Sequence, residues 1–190
     1  MKERRLIVGC AVLRRELGEV LARQDEFDCE LKWIKAGYHV VPEKLEERLS
    51  EALAPLGERA GEVRIVLGER CLPDLRRVIA PFKSMPSANC LTALLGQERL
   101  RTLEEGPAMV VTPAWIREIF FSLDPEFPIW DESDFRMNLG RYERIVVLDA
   151  GFDPLTDEET LKAFDLMGKV LETEAITLDR FEGLIMDLLR

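Results

Sequence analysis

Short apolar runs, each stopped by a glycine, a proline or a polar turn, alternate along this chain with stretches whose apolar residues recur at helical spacing. No other feature of the sequence restricts the fold as much. Leu6-Ile7-Val8 leads through Gly9-Cys10 into a helical pattern over 11–23, with Leu13, Leu17, Val20 and Leu21 on one side. Residues 29–34 alternate as a strand does, Gly37-Tyr38-His39 turns the chain, and Pro42 opens a helix to about residue 56 with Leu45, Leu49 and Leu53 four apart. Further strands are expected at 63–67, 109–111 and 145–148, with helices over 90–103 (capped by Asn89), 114–121, 157–171 and at the C-terminus, and a weaker short helix in 72–85. Strand–helix alternation of this kind implies parallel strands joined by right-handed crossovers. The expected fold is a single α/β domain over 1–190, a three-layer sandwich around a mainly parallel, doubly wound sheet. Residues 123–140, rich in Pro, Asp and Glu, form a surface loop or lid in this reading, in which Phe127 and Trp130 close over a ligand or cover the flank.

Composition narrows the partners. Thirty-six acidic against twenty-six basic residues leave a net charge of −10. A field of that sign repels phosphate backbones and anionic lipid, so nucleic acid and membrane surfaces are not expected partners. The arginine pairs Arg4-Arg5, Arg14-Arg15 and Arg76-Arg77 read as solvated helix faces. No run of 18 apolar residues is present and the start does not make a signal peptide. A cytoplasmic protein with cysteines as thiols or metal ligands is expected.

In an open parallel sheet the loops at the carboxyl ends of the strands share an edge where ligands bind. Cys10 follows the first strand, His39 the second, Cys71 the third, and Cys90 opens the helix after the next crossover. Cys29 falls at the opposite edge. Three soft sulfur ligands and one imidazole suit a tetrahedral zinc site, or iron or another thiophilic metal. The spacing is not that of a zinc finger or ribbon, and free cysteines also fill cores. A second reading uses Cys90 as a nucleophile at a helix N-terminus with His39 as its base. Asp149, after the fifth run, and Trp115, at a helix start, are candidate substrate-binding residues on the same edge, against roles as a capping acid and a core indole. Glycine-rich phosphate loops are absent from the sequence.

Gly9-Cys10 with Leu13 and Leu17, Gly37-Tyr38-His39 with Pro42-Glu43-Lys44-Leu45, Gly68 with Cys71, Asn89-Cys90 with Leu94-Leu95-Gly96, Thr112-Pro113-Ala114-Trp115-Ile116 and Asp149-Ala150-Gly151 together resemble one family. It is the family of domain of unknown function 1638, seen mainly in anaerobic bacteria and methanogenic archaea, and the resemblance runs from Leu6 to Leu178. Its recurring residues match Cys10, His39, Cys71 and Cys90. The resemblance implies a setting in methyl-group or corrinoid metabolism, with a corrinoid contact or a methyltransferase partner as consequences, and it brings no assigned reaction. An accessory module docking on a methyltransferase complex through its acidic surface is a third reading. Two departures stand out. Leu72-Pro73-Asp74 replaces a glycine-rich stretch, and Ala88 stands where relatives carry a histidine two residues before the last cysteine.

Overall fold

A computed structural model describes residues 2–72, 74–122, 126–127 and 131–190. The chain divides into two compact units, one formed by Met1–Leu94 with Leu178–Arg190 and the other by Leu95–Thr177. Each contains parallel strands and helices, so the α/β class holds, with the described strands divided between two sheets.

The first unit is built on β1 (Glu3–Cys10), β2 (Phe27–Ile34), β3 (Val63–Val66) and the two-residue β4 (Lys83–Ser84), in the order β2-β1-β3-β4. All the pairings are parallel: Cys10 lies opposite Ile34, Gly9 opposite Val66 and Ile65 opposite Ser84. The last five residues of β1 and all of β3 are buried, as expected of strands covered on both faces. In α2 (Pro42–Leu53) the predicted stripe Leu45, Leu49 and Leu53 is buried, with Pro42 at the helix start where its missing N–H costs nothing. Each such leucine contributes about 1.5–3 kcal/mol of burial. Helices α1 (Arg14–Ala22) and α3 (Leu75–Ile79) complete the crossovers, and α9 (Asp179–Leu189) returns to bury Phe181, Ile185, Leu188 and Leu189.

The C-terminal end of α9 shows how this unit handles buried charge. Arg64, only 5% exposed, donates from Nε to the Leu188 carbonyl at 2.6 Å and from Nη1 to Gly61 and Val63 carbonyls at 2.8 and 3.1 Å. Arg5 donates to the Leu189 carbonyl at 2.8 Å and Lys83 to that of Asp187 at 2.9 Å. Three cations thus satisfy carbonyls that end the helix and complement its dipole. The arginine pairs of the sequence are also spent locally: Arg4 meets Glu30, Arg76 meets Glu69 and Arg77 meets Glu46.

The second unit orders β5 (Ala108–Val111), β6 (Arg144–Asp149) and β7 (Val170–Ala175) as β5-β6-β7, again parallel. Thr112 caps α6 (Pro113–Trp115) by accepting the Trp115 N–H at 3.1 Å, and a π-helical turn over Ile116–Phe120 follows. Phe120 meets Trp115 and Phe135 edge-on, both at 4.6 Å between ring centres. α8 (Asp157–Met167) starts in a capping box of Thr156 and Glu159.

Four local expectations change. The helix expected over 90–103 breaks into α4 (Cys90–Leu95) and α5 (Gln97–Leu103), because Gly96 sits at φ +81°, outside the helical region. The helix expected to reach 171 stops at Met167, because Gly168 takes the left-handed conformation at φ +60°, and the chain continues as β7. Within the expected loop or lid of 123–140, Asp131 and Asp134 form a capping box that starts α7 (Glu132–Leu139). Phe127 is buried and Trp130 lies outside the described residues. β4 is too short to show a pattern in the sequence. No helix among the described residues is long and apolar enough to cross a membrane.

Candidate functional site

The carboxyl edge of the first sheet collects the cysteines. Cys10 is the last residue of β1, on a strand paired along both sides, and is 4% exposed. Cys71 follows β3 in a tight turn, its N–H donating to the Gly68 carbonyl at 3.0 Å. Cys90 is the first residue of α4, and Asn89 caps that helix as the sequence predicts: its Oδ1 accepts the Thr92 N–H at 2.7 Å and the Thr92 hydroxyl at 2.9 Å.

The loops carrying Cys71 and Cys90 are tied to each other. Glu69 N–H donates to the Ser87 carbonyl at 2.8 Å and Arg70 N–H to the Ala88 carbonyl at 2.9 Å. Gly68 makes this approach possible: a Cβ there would stand 2.7 Å from the Ala88 oxygen and press on the Asn89 backbone. Gly9 plays a similar part under Trp33, where a Cβ would come within 3.2 Å of the indole. Both glycines serve close approach. Gly68 also takes part in the turn that leads to Cys71, its carbonyl accepting the Cys71 N–H.

All four cysteines are thiols. Burial pushes the Cys90 thiol far up, and the nearby sulfurs of Cys10 and Cys71 push it further, outweighing the N–H groups of Leu91 and Cys90 itself that favour its thiolate. Burial likewise raises Cys71, against the Gly68 N–H. The Cys90 sulfur is therefore close enough to those of Cys10 and Cys71 to feel their charge, and the Cys71 and Cys90 thiols are both raised, which favours their protonated form. This environment works against a helix-activated thiolate at Cys90: α4 is six residues long, and desolvation exceeds what its N–H groups return. A bound cation would reverse the balance, since a coordinating thiol gives up its proton outright.

His39 lies in the 3-10 turn Ala36–Val40 that follows β2. Burial lowers its pKa, partly offset by the Ala36 carbonyl that accepts its N–H. Its imidazole is neutral at pH 7, with one nitrogen donating to backbone as is usual for a ligating histidine. Among the described residues, no three His, Cys, Asp or Glu side chains stand in a group that could hold a metal ion. The donor types themselves, thiol and imidazole, are those of thiophilic metal sites.

The remaining candidates lie elsewhere. Cys29 pairs with Arg5 in the amino half of the sheet, with its thiol raised chiefly by burial. Trp115 and Asp149 belong to the second unit. Trp115 packs on Phe120, and the Asp149 carboxylate accepts the Gly151 N–H at 2.7 Å, closing the turn after β6. Glu69 and Arg76 form an ion pair at 3.1 Å beside the Cys71 loop; in the sequence Arg76 stands out only as half of an arginine pair, and Glu69 not at all. They are seven residues apart across a turn, a spacing that carries no periodic signal.

No curated protein and no solved structure matches the chain. A family profile does match, over residues 33–185, a span that includes His39, Cys71 and Cys90 and begins after Cys10. The chain belongs to the family described as protein of unknown function (DUF1638).

Proposed function

We propose that the carboxyl edge of the first sheet binds a thiophilic metal ion or a metal-containing cofactor, with Cys10, Cys71 and Cys90 as sulfur ligands and His39 as the nitrogen donor. The observation that carries this reading is the convergence of three thiols at one sheet edge: Cys10 ends β1, Cys71 follows β3, and Cys90 opens α4 on a loop tied to that of Cys71 by the Glu69–Ser87 and Arg70–Ala88 backbone hydrogen bonds. A neutral imidazole on the loop after the neighbouring strand supplies the fourth donor type. Zinc and iron both accept this donor set. In a cytoplasmic setting the thiols stay reduced and available for it. The family's methyl-group or corrinoid setting is compatible with the site, and a methyltransferase partner belongs to the same proposal.

The chain's own part in such chemistry follows from its protonation states. The Cys71 and Cys90 thiols are raised by burial, so their binding of a cation releases protons and tightens as pH rises. His39 needs no deprotonation at neutral pH. Four protein ligands would make the centre structural, and three with an open place would make it catalytic.

Elemental analysis of protein purified anaerobically without an affinity tag, wild type beside Cys71→Ser, tests the reading. Near-stoichiometric zinc, iron or cobalt in the wild type, falling at least tenfold in the variant, is expected. Wild-type protein that takes up none of these metals, even when supplied after reduction, overturns it and leaves the cysteines as core residues.

A further inference from the structure

Where β3 and β4 end, the first unit has a pocket of about 270 Å³ lined by Leu67, Glu69, Leu75, Arg76, Ile79 and Phe82, among others. Its place at the carboxyl ends of parallel strands is where open α/β sheets bind ligands, and its size suits a small one. Leu67, Leu75 and Ile79 are almost fully buried and give it an apolar floor, with the Phe82 ring beside them. The charged groups lining it that have a resolved ion pair are Glu69 and Arg76, 3.1 Å apart.

That pair is asymmetric. The Arg76 side chain is 83% exposed on a short helix, whereas Glu69 is 43% exposed and its N–H is bonded to the Ser87 carbonyl. Solvent-exposed pairs of this kind are weak, and Arg76 is the member free to swing into water. Its departure leaves a carboxylate beside an apolar floor and an aromatic wall, the combination that attracts organic ammonium groups. An anionic ligand would have to displace Glu69, the anchored member, and would approach a chain of net charge −10.

We propose that this pocket binds small alkylammonium ions, the ammonium head on the Glu69 carboxylate in place of Arg76 and the carbon chain on Leu67, Leu75 and Ile79. The proposal goes beyond the thiol reading and does not depend on it.

Calorimetric titration of the full chain with n-butylammonium, and with n-butyrate as the control of equal length and opposite charge, tests this. Saturable binding of butylammonium is expected, at least tenfold weaker in Glu69→Gln and severalfold tighter in Arg76→Ala, where the competing cation is gone. Both side chains are exposed, so the variants keep the wild-type Tm. Butyrate binding as tightly as butylammonium, an unchanged Kd in Glu69→Gln, or no saturable butylammonium binding in either wild type or Arg76→Ala would overturn it. Metal content measured on the same samples reports on the thiol site separately.

Discussion

The two units use the same strand–helix alphabet and stabilise it differently. In the first, β3 is buried along its whole length and β1 over its last five residues, helix α2 contributes a continuous apolar stripe, and the buried Arg64 is satisfied by helix carbonyls. In the second, the edge strand β7 is largely exposed, α8 leaves Leu161 and Phe164 in solvent, and partly exposed ion pairs recur: Arg117 with Glu159 and Asp153, Arg144 with Glu172, and Arg99 with Glu174. Exposed ion pairs occur in the first unit as well, Arg4 with Glu30 and Arg77 with Glu46 among them, so the units differ in how far their helices and edge strands bury apolar faces. The candidate thiols Cys10, Cys71 and Cys90 lie in the first unit, where burial raises those of Cys71 and Cys90.

The contrast can be broken most directly with phenylalanines. Phe181 of α9 is completely buried and Phe164 of α8 is 47% exposed. Phe181→Ala is expected to cost about 3–5 kcal/mol, and Phe164→Ala no more than about 0.5 kcal/mol, in urea unfolding. Comparable losses would show that α8 is as deeply committed as α9.

A smaller effect is expected at the thiol edge. Gly68→Ala puts a methyl group against the Ala88 carbonyl and the Asn89 backbone, where no flexible side chain can yield. Overpacking of this kind costs about 1–3 kcal/mol, and here it also pushes the Cys71 and Cys90 loops apart. Thermal unfolding gives the first number, and the alkylation rates of Cys71 and Cys90, expected to rise together, report the second. Unchanged rates would show that the loops are not positioned by this contact.

The smallest effect is electrostatic. Arg117 grips Glu159 with two nitrogens, at 2.7 and 2.9 Å, while donating to Asp153 at 2.8 Å. This holds the Glu159 carboxyl down at about 2 against an ordinary 4.5. A depressed carboxylate stabilises the fold fully above its unfolded value, and the stability is lost as pH falls toward the folded one. The contribution is therefore present above pH 4.5 and disappears between about 4.5 and 2. Because both side chains are about a quarter exposed, screening limits it to about 1 kcal/mol. Arg117→Met is expected to lose that amount at pH 7, to lose less in high salt, and to flatten the acid limb of the stability curve. A variant with the wild-type acid limb would remove Glu159 as the titrating group.

The elements that could be read from the chain are those whose signal is local. Leu45, Leu49 and Leu53 sit on one face by helical arithmetic, Asn89 caps because its side chain reaches the N–H three residues on, and the runs before Cys10 and Cys71 are apolar because both faces are covered. β7 escaped because its residues are mostly exposed, so pairing with β6 makes it a strand where its own pattern does not. β4 escaped because two residues cannot show a period. The positions of the cysteines after their strands were likewise legible. What brings Cys71 and Cys90 together, the close approach at Gly68, was not, because a glycine in sequence does not say which backbone will press against it.

The sequence by itself determined the α/β class and the order of most strands and helices. It also put the candidate ligands, three cysteines and the lone histidine, at or after the carboxyl ends of successive strands. Those follow from periodicity and short-range hydrogen bonding, which act over a few residues. Only the tertiary structure decided that the strands sort into two sheets, that Asp149 and Trp115 belong to a different unit from the cysteines, and that burial raises the Cys71 and Cys90 thiols. Strand partnership, desolvation and charge–charge distance depend on what the rest of the chain places nearby, and residue spacing along the chain does not carry that information.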